Sequence, residues 1–200
     1  MGDYMTQRKS VAIITIQSLN FGNRLQNYAL QEVLKTCGVR VKTLKRGTKP
    51  SGLLLVRTKL KNFARIMMGN LRGKFLSFNR LIDMENIYVE ANEAPSNLKN
   101  KFDFFIAGSD QVWNPYYDFV GKSDLLYFAK HEQKISYAAS FGVTELPENV
   151  QSLYTDCLSD FHRISVREDG GIRIVRELTG REAKVTLDPT LMLTADQWRG

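Results

Sequence analysis

Apolar residues along the chain recur at two spacings, one typical of buried strands and the other of helices. Residues 11–16 are almost continuously apolar and rich in β-branched side chains, which predicts a first strand buried on both faces of a parallel sheet. Residues 25–35 carry apolar positions at helical spacing, and the predicted helix ends at Cys37-Gly38, where glycine favours a left-handed cap. Residues 39–44 alternate apolar and charged positions and predict a second strand near a sheet edge.

The same alternation of strands and helices continues to the end of the chain. It predicts strands at residues 102–107, 135–139, 164–166 and 184–187, and helices at residues 148–161 and 169–178. Strands that alternate with helices favour an open, doubly wound α/β sheet of parallel strands, a Rossmann-like fold. The 200 residues fit one such domain, which we place at residues 10–190 after a tail at residues 1–9.

A basic helical insertion at about residues 50–84 interrupts this pattern. Apolar residues step by three or four from Leu53 to Ile82, and Gly69 and Gly73 near the middle predict either a bent helix or two consecutive helices. Residues 33–82 hold 13 Lys or Arg and no acid, whereas the other 150 residues hold 15 bases and 21 acids. The net charge of +7 therefore belongs to this one segment.

The apolar stripe at residues 53–82 has three candidate partners, namely the domain core, an anionic membrane surface and nucleic acid. The stripe can pack on the domain core with its bases in solvent, or it can lie on an anionic membrane surface, because a basic amphipathic helix buries its apolar side among lipid headgroups. Nucleic acid is disfavoured, because Phe63, Phe75 and Phe78 lie on the stripe and not among the bases, where stacking requires them. The core and the membrane both stay open at this point.

Composition narrows the class of protein. With 43% hydrophobic and 24% charged residues the chain matches the globular average, and its longest apolar runs are far shorter than the roughly 20 residues of a membrane span. We recognise no secretory leader and expect a cytoplasmic protein, with peripheral attachment to the inner face of the membrane as an option. Cys37 and Cys157 lie far apart and outside any Cys-x-x-Cys motif, so we predict neither a disulfide nor a metal site.

Ligands of doubly wound sheets bind at the carboxyl ends of the strands, where four of the predicted loops lie. In the first loop Asn20, Gly22, Asn23 and Arg24 stand at the start of a helix, where free N–H groups and a cation favour an anion. A turn with Asn23 as the helix N-cap explains the same residues. The single glycine is too few for a P-loop or a dinucleotide fingerprint. The other three loops span residues 108–115, 140–142 and 167–171.

The second and fourth of these loops carry the residues with the clearest chemistry. Residues 108–115 combine polar side chains for hydroxyl groups with an aromatic face, a mixture that suits a sugar. Arg167 ends a predicted strand and can hold a carboxylate or a phosphate bidentately, or form a structural pair with Glu168. His131 and His162 are the only histidines, and no nucleophilic triad can be assembled from them. General acid or base catalysis then rests on carboxylates such as Asp110 or Glu168, or is supplied from elsewhere.

Five blocks of sequence together resemble the polysaccharide pyruvyl transferase family. They are NFGNRLQNYALQ at residues 20–31, AGSDQVWN at 107–114, ISYAASFG at 135–142, SVRE at 165–168 and LDPTL at 187–191. The resemblance extends over residues 10–198 and implies a GT-B-like architecture, in which two Rossmann-type domains face a cleft. It also implies transfer of a pyruvyl group from phosphoenolpyruvate, as the donor substrate, onto sugar hydroxyls as a ketal. We expect no cofactor beyond this donor.

The resemblance assigns expected roles to residues of the loops. By resemblance Arg167 is expected to hold the carboxylate or phosphate of the donor. Asp110 and Glu168 are expected to act in catalysis because they are carboxylates of these loops, and twelve further residues are expected to line the cleft. These twelve are Asn20, Gly22, Asn23, Arg24, Gln26, Gly108, Ser109, Gln111, Trp113, Asn114, Ser140 and Ser165. Acceptors in the family are often lipid-linked glycans at a membrane surface, which would give the basic segment a role.

Members of the family are considerably longer than this chain, and residues 188–190 resemble the stretch that leads into their second domain. We therefore expect residues 191–200 to begin a hinge, and the chain to be the N-terminal half of an enzyme whose catalytic histidine lies in the second domain. Neither His131 nor His162 matches that histidine. Two alternatives are a non-catalytic α/β module that binds a small anion or glycan, and a sugar-modifying transferase with a different donor.

Overall fold

A parallel sheet of five strands forms the centre of the molecule. The computed structural model describes residues 8–18, 20–67 and 71–199. Its strands are β1 (Ser10–Ile14), β2 (Arg40–Arg46), β3 (Met84–Val89), β4 (Phe104–Ala107) and β5 (Lys134–Ser136), arranged in the order β3-β2-β1-β4-β5. A parallel pair, β6 (Ser165–Val166) and β7 (Lys184–Val185), follows β5 through single bridges such as Ala139 to Val166. The predicted Rossmann-like α/β sheet is thus confirmed.

Helices lie between several of these strands and after the last one. They are α1 (Phe21–Thr36), α2 (Gly52–Met67), α3 (Leu71–Phe78), α4 (Glu148–Ser159), α5 (Asp169–Thr179) and α6 (Ala195–Arg199). The side chain of Asn20 caps α1 by accepting a hydrogen bond from the Gly22 N–H at 2.7 Å. The alternative interpretation with Asn23 as the cap was therefore wrong.

Strand β1 is central, and its side chains alternate between two hydrophobic layers. Val11 and Ile13 face Leu30 of α1, whereas Ala12 and Ile14 face the larger core that contains Phe105. All five residues of β1 are buried, because β2 and β4 pair with its two edges and both faces are covered. The continuous apolar run in the sequence reflects this double burial.

The sequence predicted no strand at residues 84–89, and β3 changes the position of β2. Strand β3 pairs in parallel with β2, so β2 is the second strand of the sheet and not its edge. The charged positions of β2 had indicated a strand near an edge, and β2 lies directly beside the edge strand β3. Lys45 reaches sideways to β3, where its Nζ donates to Asn86 Oδ1 at 3.1 Å and lies over the ring of Tyr88. Long basic side chains can therefore stand on a strand that has neighbours on both sides.

The basic segment forms two helices, and its apolar stripe is divided between them. In the second half Phe75 and Ile82 are buried, and the Phe75 ring stacks on Phe21 of α1. In the first half Leu60 and Phe63 of α2 are exposed. The expectation of packing on the core is thus confirmed for Phe75 and Ile82 and wrong for the exposed residues of α2. Within the described ranges, no helix has the length and hydropathy needed to cross a membrane.

The order of the strands reverses at one point. The chain runs outward from β1 through β2 to β3, and then returns to place β4 and β5 on the other side of β1. The carboxyl ends of β1 and β4 therefore border a crevice, which is where open α/β sheets bind their ligands.

Candidate functional site

Hydrogen bonds join the loops that follow β1 and β4 across this crevice. The hydroxyl of Thr15 donates to the backbone carbonyl of Ser109 at 2.9 Å, and the amide of Gln26 donates to the Thr15 hydroxyl at 2.8 Å. The Asn23 amide donates to the Asp110 carboxylate. Asn23 and Gln26 at the start of α1 thus form one network with Ser109 and Asp110 of the β4 loop.

The backbone of the β4 loop is held in a shape that requires glycine. Gly108 has a φ of 116°, and a Cβ at this position would lie 2.3 Å from the carbonyl oxygen of Tyr137. Asp110 follows with a φ of 87°, and its Oδ1 accepts a hydrogen bond from the Gln111 N–H at 2.7 Å. This turn fixes the Asp110 carboxylate at the crevice.

Arg167 lies between two carboxylates at the same edge of the sheet. Its Nη1 is 3.5 Å from Asp188 Oδ2, and its Nε is 3.9 Å from Glu168 Oε2. Both distances exceed the roughly 2.7–2.9 Å of a good charge-assisted hydrogen bond. Across the residues that the structure describes, the guanidinium makes no hydrogen bond and its side chain is 31% exposed. Its donors are therefore available to an added anion.

Asp188 connects Arg167 to the β4 loop. Its Oδ2 accepts a hydrogen bond from the fully buried Ser109 hydroxyl at 3.1 Å, and its Oδ1 accepts two more from Thr190. The sequence blocks include Asp188, but residue types alone did not mark it as part of the site. Its position directly after a strand was the available signal.

The loop after β5 separates the two candidate catalytic carboxylates. The Ser140 N–H donates to the backbone carbonyl of Asp110 at 2.9 Å, and the Phe141 N–H donates to Glu168 Oε1 at 3.2 Å. The hydroxyl of Ser140 is buried and accepts a hydrogen bond from Gly142. Asp110 and Glu168 therefore flank one short stretch of backbone.

Several predicted site residues belong to the scaffold. Trp113 is fully buried, its indole N–H donates to the Asp124 carbonyl, and its ring packs against Phe141 and Phe161. The aromatic face expected there for a sugar is thus not accessible, which corrects the prediction. Ser165 is occupied as well, because its hydroxyl bonds to backbone groups of the β5 segment and to Thr186.

Gln111 and Asn114 are engaged with each other at the mouth of the β4 loop. The amide of Asn114 donates to Gln111 Oε1 at 3.1 Å, and the Tyr117 hydroxyl donates to the same oxygen at 2.6 Å. Gly142 has a φ of 65°, and a Cβ there would lie 2.7 Å from the Asn114 amide. These contacts join the loops after β4 and β5 into one wall.

The anion pocket expected at residues 20–24 is largely occupied by the protein itself. Gly22 donates its N–H to the capping Asn20. The guanidinium of Arg24 donates to the Ser18 and Asn20 carbonyls and lies over the Phe75 ring, 4.9 Å from its centroid. Burial lowers the pKa of Arg24. Arg24 therefore fixes the loop to α3, which corrects its assignment as an open anion ligand.

A cleft of about 400 Å³ opens at the carboxyl ends of β1, β2 and β3. Arg46 Nη2 donates to Asp124 Oδ2 at 2.8 Å, and the Gly121 N–H donates to the same oxygen at 2.9 Å. Burial raises the pKa of Asp124 to about 6, although Arg46 and the Gly121 N–H act in the opposite direction. Gln17, Glu90 and Phe119 complete the polar and aromatic parts of the wall.

This cleft was not predicted from the sequence. Arg46 lies two positions after the predicted strand at residues 39–44, so its place at the carboxyl edge was a usable signal, but Asp124 lies in an irregular stretch without periodicity. Across the described ranges, no group of three or more His, Cys, Asp or Glu side chains is arranged to hold a metal ion. His131 precedes β5 and His162 precedes β6, so both lie at the amino ends of strands, away from the site.

The parallel sheet and the polar groups at its carboxyl edge define the class: a Rossmann-like α/β protein with a polar crevice at the strand-order reversal. Comparison with models of protein families then identifies the family to which the chain belongs. The model of the family "Polysaccharide pyruvyl transferase" matches residues 20–199, and the chain belongs to this family of transferases. Searches of curated proteins and of solved structures returned no match.

Proposed function

We propose that the protein takes part in transferring a pyruvyl group from phosphoenolpyruvate to sugar hydroxyls of a cell-surface polysaccharide or of its lipid-linked precursor. Family membership supports the reaction class. The observation that carries the donor assignment is Arg167, a partly exposed guanidinium with two long ion pairs at the carboxyl edge of the sheet. Phosphoenolpyruvate presents a carboxylate and a phosphate, the two groups that a guanidinium binds bidentately.

The start of α5 supports the same placement of the donor. The helix begins at Asp169, two positions after Arg167, and the carboxylate of its N-cap residue, Glu168, makes no capping hydrogen bond. Free N–H groups at the start of a helix favour an anion. The donor phosphate would therefore lie between the guanidinium and this helix end.

The proposed reaction conserves all its atoms. Two hydroxyl oxygens of the sugar form bonds to C2 of phosphoenolpyruvate, and the bond from C2 to the phosphate oxygen breaks. One hydroxyl proton ends on C3, which becomes the methyl group, and the other leaves on inorganic phosphate. The products are a pyruvate ketal and phosphate, so the protein has to move protons and stabilise anionic charge.

Asp110 and Glu168 are the proposed proton-transfer groups of this chain. Asp110 is oriented by Asn23 and by the Gln111 N–H, and Glu168 by the Phe141 N–H. Fixed carboxylates next to the donor can accept the proton of an attacking hydroxyl. In this proposal a second domain of GT-B-like architecture supplies the remaining catalytic groups.

The cleft beside Arg46 is the proposed position of the acceptor sugar. Its wall combines a carboxylate, an amide and the half-exposed ring of Phe119. Polar groups with two or more hydrogen-bonding atoms match sugar hydroxyls, and an aromatic ring can cover the apolar face of a pyranose. This cleft and the crevice of Asp110 both border the carboxyl end of β1.

Binding of phosphoenolpyruvate, measured by titration calorimetry, tests the donor assignment. We expect Arg167→Ala to weaken binding at least about tenfold, the loss of one charge-assisted contact of about 1.4 kcal/mol or more. The matched control is Arg173→Ala on α5, whose exposed guanidinium contacts only the Thr144 carbonyl among the described residues. Equal affinities of the two variants would contradict the assignment.

Two further measurements test the rest of the proposal: ligand competition tests the identity of the donor, and product formation tests the need for a second domain. A nucleotide sugar that displaces phosphoenolpyruvate at similar concentration would indicate a transferase with a different donor. Product formation is followed as phosphate release together with the ketal methyl signal in NMR, using acceptors that contain galactose or mannose. Full turnover by these 200 residues alone would contradict the need for a second domain and leave the donor assignment intact.

A further inference from the structure

Helix α2 presents an apolar face that the rest of the described chain leaves uncovered. Val56, Leu60, Phe63 and Met67 are 54%, 65%, 63% and 71% exposed. Their spacing of four, three and four residues places them on one side of the helix. We propose that this face, the α2 face, docks the protein on an anionic lipid surface.

The fold itself does not cover the α2 face. The apolar stripe continues into α3, where Phe75 stacks on Phe21 and is only 5% exposed. Tyr28 of α1 likewise packs edge-on against Phe78 of α3. Helix α1 thus receives Phe75 and Phe78 of α3, whereas the four side chains of the α2 face remain in solvent. Four large apolar side chains in a row form the kind of patch that marks an interaction site.

The charged residues beside the α2 face indicate which kind of partner it binds. Arg57 and Lys61 are exposed beside it, and residues 33–82 contain 13 bases and no acid. An apolar face flanked by bases matches the acyl boundary and the anionic headgroups of a membrane leaflet. With 16 residues α2 is shorter than the roughly 20 that span a bilayer, so it would lie in the plane of the surface.

Two other partners fit these observations less well. A second copy of the chain would bring two basic segments together, and like charges would repel across the contact. Single-stranded nucleic acid needs aromatic rings among the bases, but Phe63 lies in a row with aliphatic side chains. The experiments below distinguish both of these partners from a lipid surface.

The docked position would bring the membrane close to the cleft beside Arg46. Gly47 lines that cleft, and α2 begins at Gly52. The five residue steps between them span at most about 17 Å of extended chain. A surface that holds α2 therefore lies next to the carboxyl edge of the sheet. The lipid interaction itself does not depend on which reaction takes place there.

Co-sedimentation with vesicles tests the proposal. The protein is mixed with vesicles of phosphatidylcholine alone, or with about 30 mol% phosphatidylserine, at about 0.05 M and about 0.5 M salt. We expect binding to the anionic vesicles at low salt and at least about tenfold weaker binding to neutral vesicles or at high salt. Absence of binding to anionic vesicles at low salt would overturn the proposal.

Matched variants assign the binding to the α2 face. Leu60→Ser is compared with Leu191→Ser, because these leucines are 65% and 68% exposed. Arg57→Gln/Lys61→Gln is compared with Lys99→Gln/Lys101→Gln, because both pairs remove two exposed bases. We expect about tenfold weaker vesicle binding in each α2 variant and unchanged binding in each control. We expect all four variants to remain folded, because the replaced side chains are exposed. Circular dichroism checks this.

Three further results would overturn the proposal, and each points to a different partner or force. If the α2 variants and their controls lose vesicle binding equally, the attraction is due to net charge alone. Dimers in sedimentation velocity that Leu60→Ser abolishes, without vesicle binding, would assign the face to a second copy. Tighter binding of single-stranded DNA than of anionic vesicles, lost in the Arg57→Gln/Lys61→Gln variant, would assign it to nucleic acid.

Discussion

At the scale of single residues, the site depends on close backbone approach as much as on polar side chains. Gly108 lets the loop after β4 pass against the carbonyl of Tyr137, and this passage places Ser109 under Asp188 and Asp110 beside Asn23. The groups proposed to bind the donor and to transfer protons therefore share one support. A change at Gly108 should disturb both.

Replacing Gly108 by alanine tests this support. The new Cβ would lie 2.3 Å from Tyr137 O, so we expect the free energy of unfolding to fall by at least about 2 kcal/mol. Gly180→Ala is the control for a positive φ without a close contact, because its φ of 66° costs an alanine about 1 kcal/mol and no atom lies within 4 Å of the added Cβ. Urea denaturation measures both variants. Equal losses would mean that the contact with Tyr137 is unimportant.

Residue types alone did not predict how single side chains are used. Trp113 and Arg24 carry suitable chemistry for a ligand, but Phe141 and Phe161 enclose Trp113, and Phe75 covers Arg24. These partners lie 28 to 51 positions away in the sequence. Local pattern carries no information about such contacts, and the pairing of Arg46 with Asp124 escaped prediction for the same reason.

At the scale of elements, the start of α1 determines the position of the first loop. The Asn20 side chain satisfies the Gly22 N–H, and the same turn presents Asn23 to Asp110. One cap therefore serves both the helix and the crevice.

Asn20→Ala should lower the free energy of unfolding by about 1 kcal/mol, because it removes the cap of α1. Asn97→Ala is the matched control, since Asn97 precedes a short 3₁₀ turn and its side chain makes no capping hydrogen bond. We expect the control to stay within about 0.5 kcal/mol of the wild type. Thermal denaturation followed by circular dichroism compares them, and a larger loss in the control would argue against this role of the cap.

Elements with strong periodicity were predictable, and elements without it were not. β1, α1, α4 and α5 follow from apolar spacing because each buries a continuous face or stripe. β3 did not stand out, because five of its six residues are partly or fully exposed and its sequence alternates poorly. The positions of the four loops at the carboxyl edge followed from the strands alone, whereas the cleft beside Arg46 required β3 to be known.

At the scale of the whole molecule, two carboxyl groups shape the dependence of stability on pH. Burial raises the pKa of Asp124 to about 6, so between about pH 4 and pH 6 the folded protein keeps a proton that the unfolded chain has lost. The contribution of Asp124 to stability therefore falls as pH rises through this window. Hydrogen bonds from Ser10, together with Lys9, lower the pKa of Asp103 to about 2. Its contribution is present above about pH 4 and is lost as pH falls toward 2.

Denaturation at a series of pH values in Asp124→Asn and Asp103→Asn separates these two effects. We expect Asp124→Asn to remove the decline between pH 4 and pH 6, about 3 kcal/mol for a shift of about two pKa units. Asp103→Asn should leave that window unchanged and reduce the loss of stability below about pH 4. A wild-type curve that rises between pH 4 and pH 6 by as much as that of Asp124→Asn would show that Asp124 is ionised throughout.

The return of the chain from β3 to β4 has a consequence for how ligands report on folding. Thr15 meets Ser109 across 94 positions, and Ser109 meets Asp188 across 79 more. A fragment must contain nearly the entire domain to form this crevice. A ligand therefore binds in the crevice only when the domain is fully folded. A compound seated there raises the melting temperature of the domain as a unit, in proportion to the logarithm of its concentration, and a thermal-shift screen thereby becomes a search for its natural ligands.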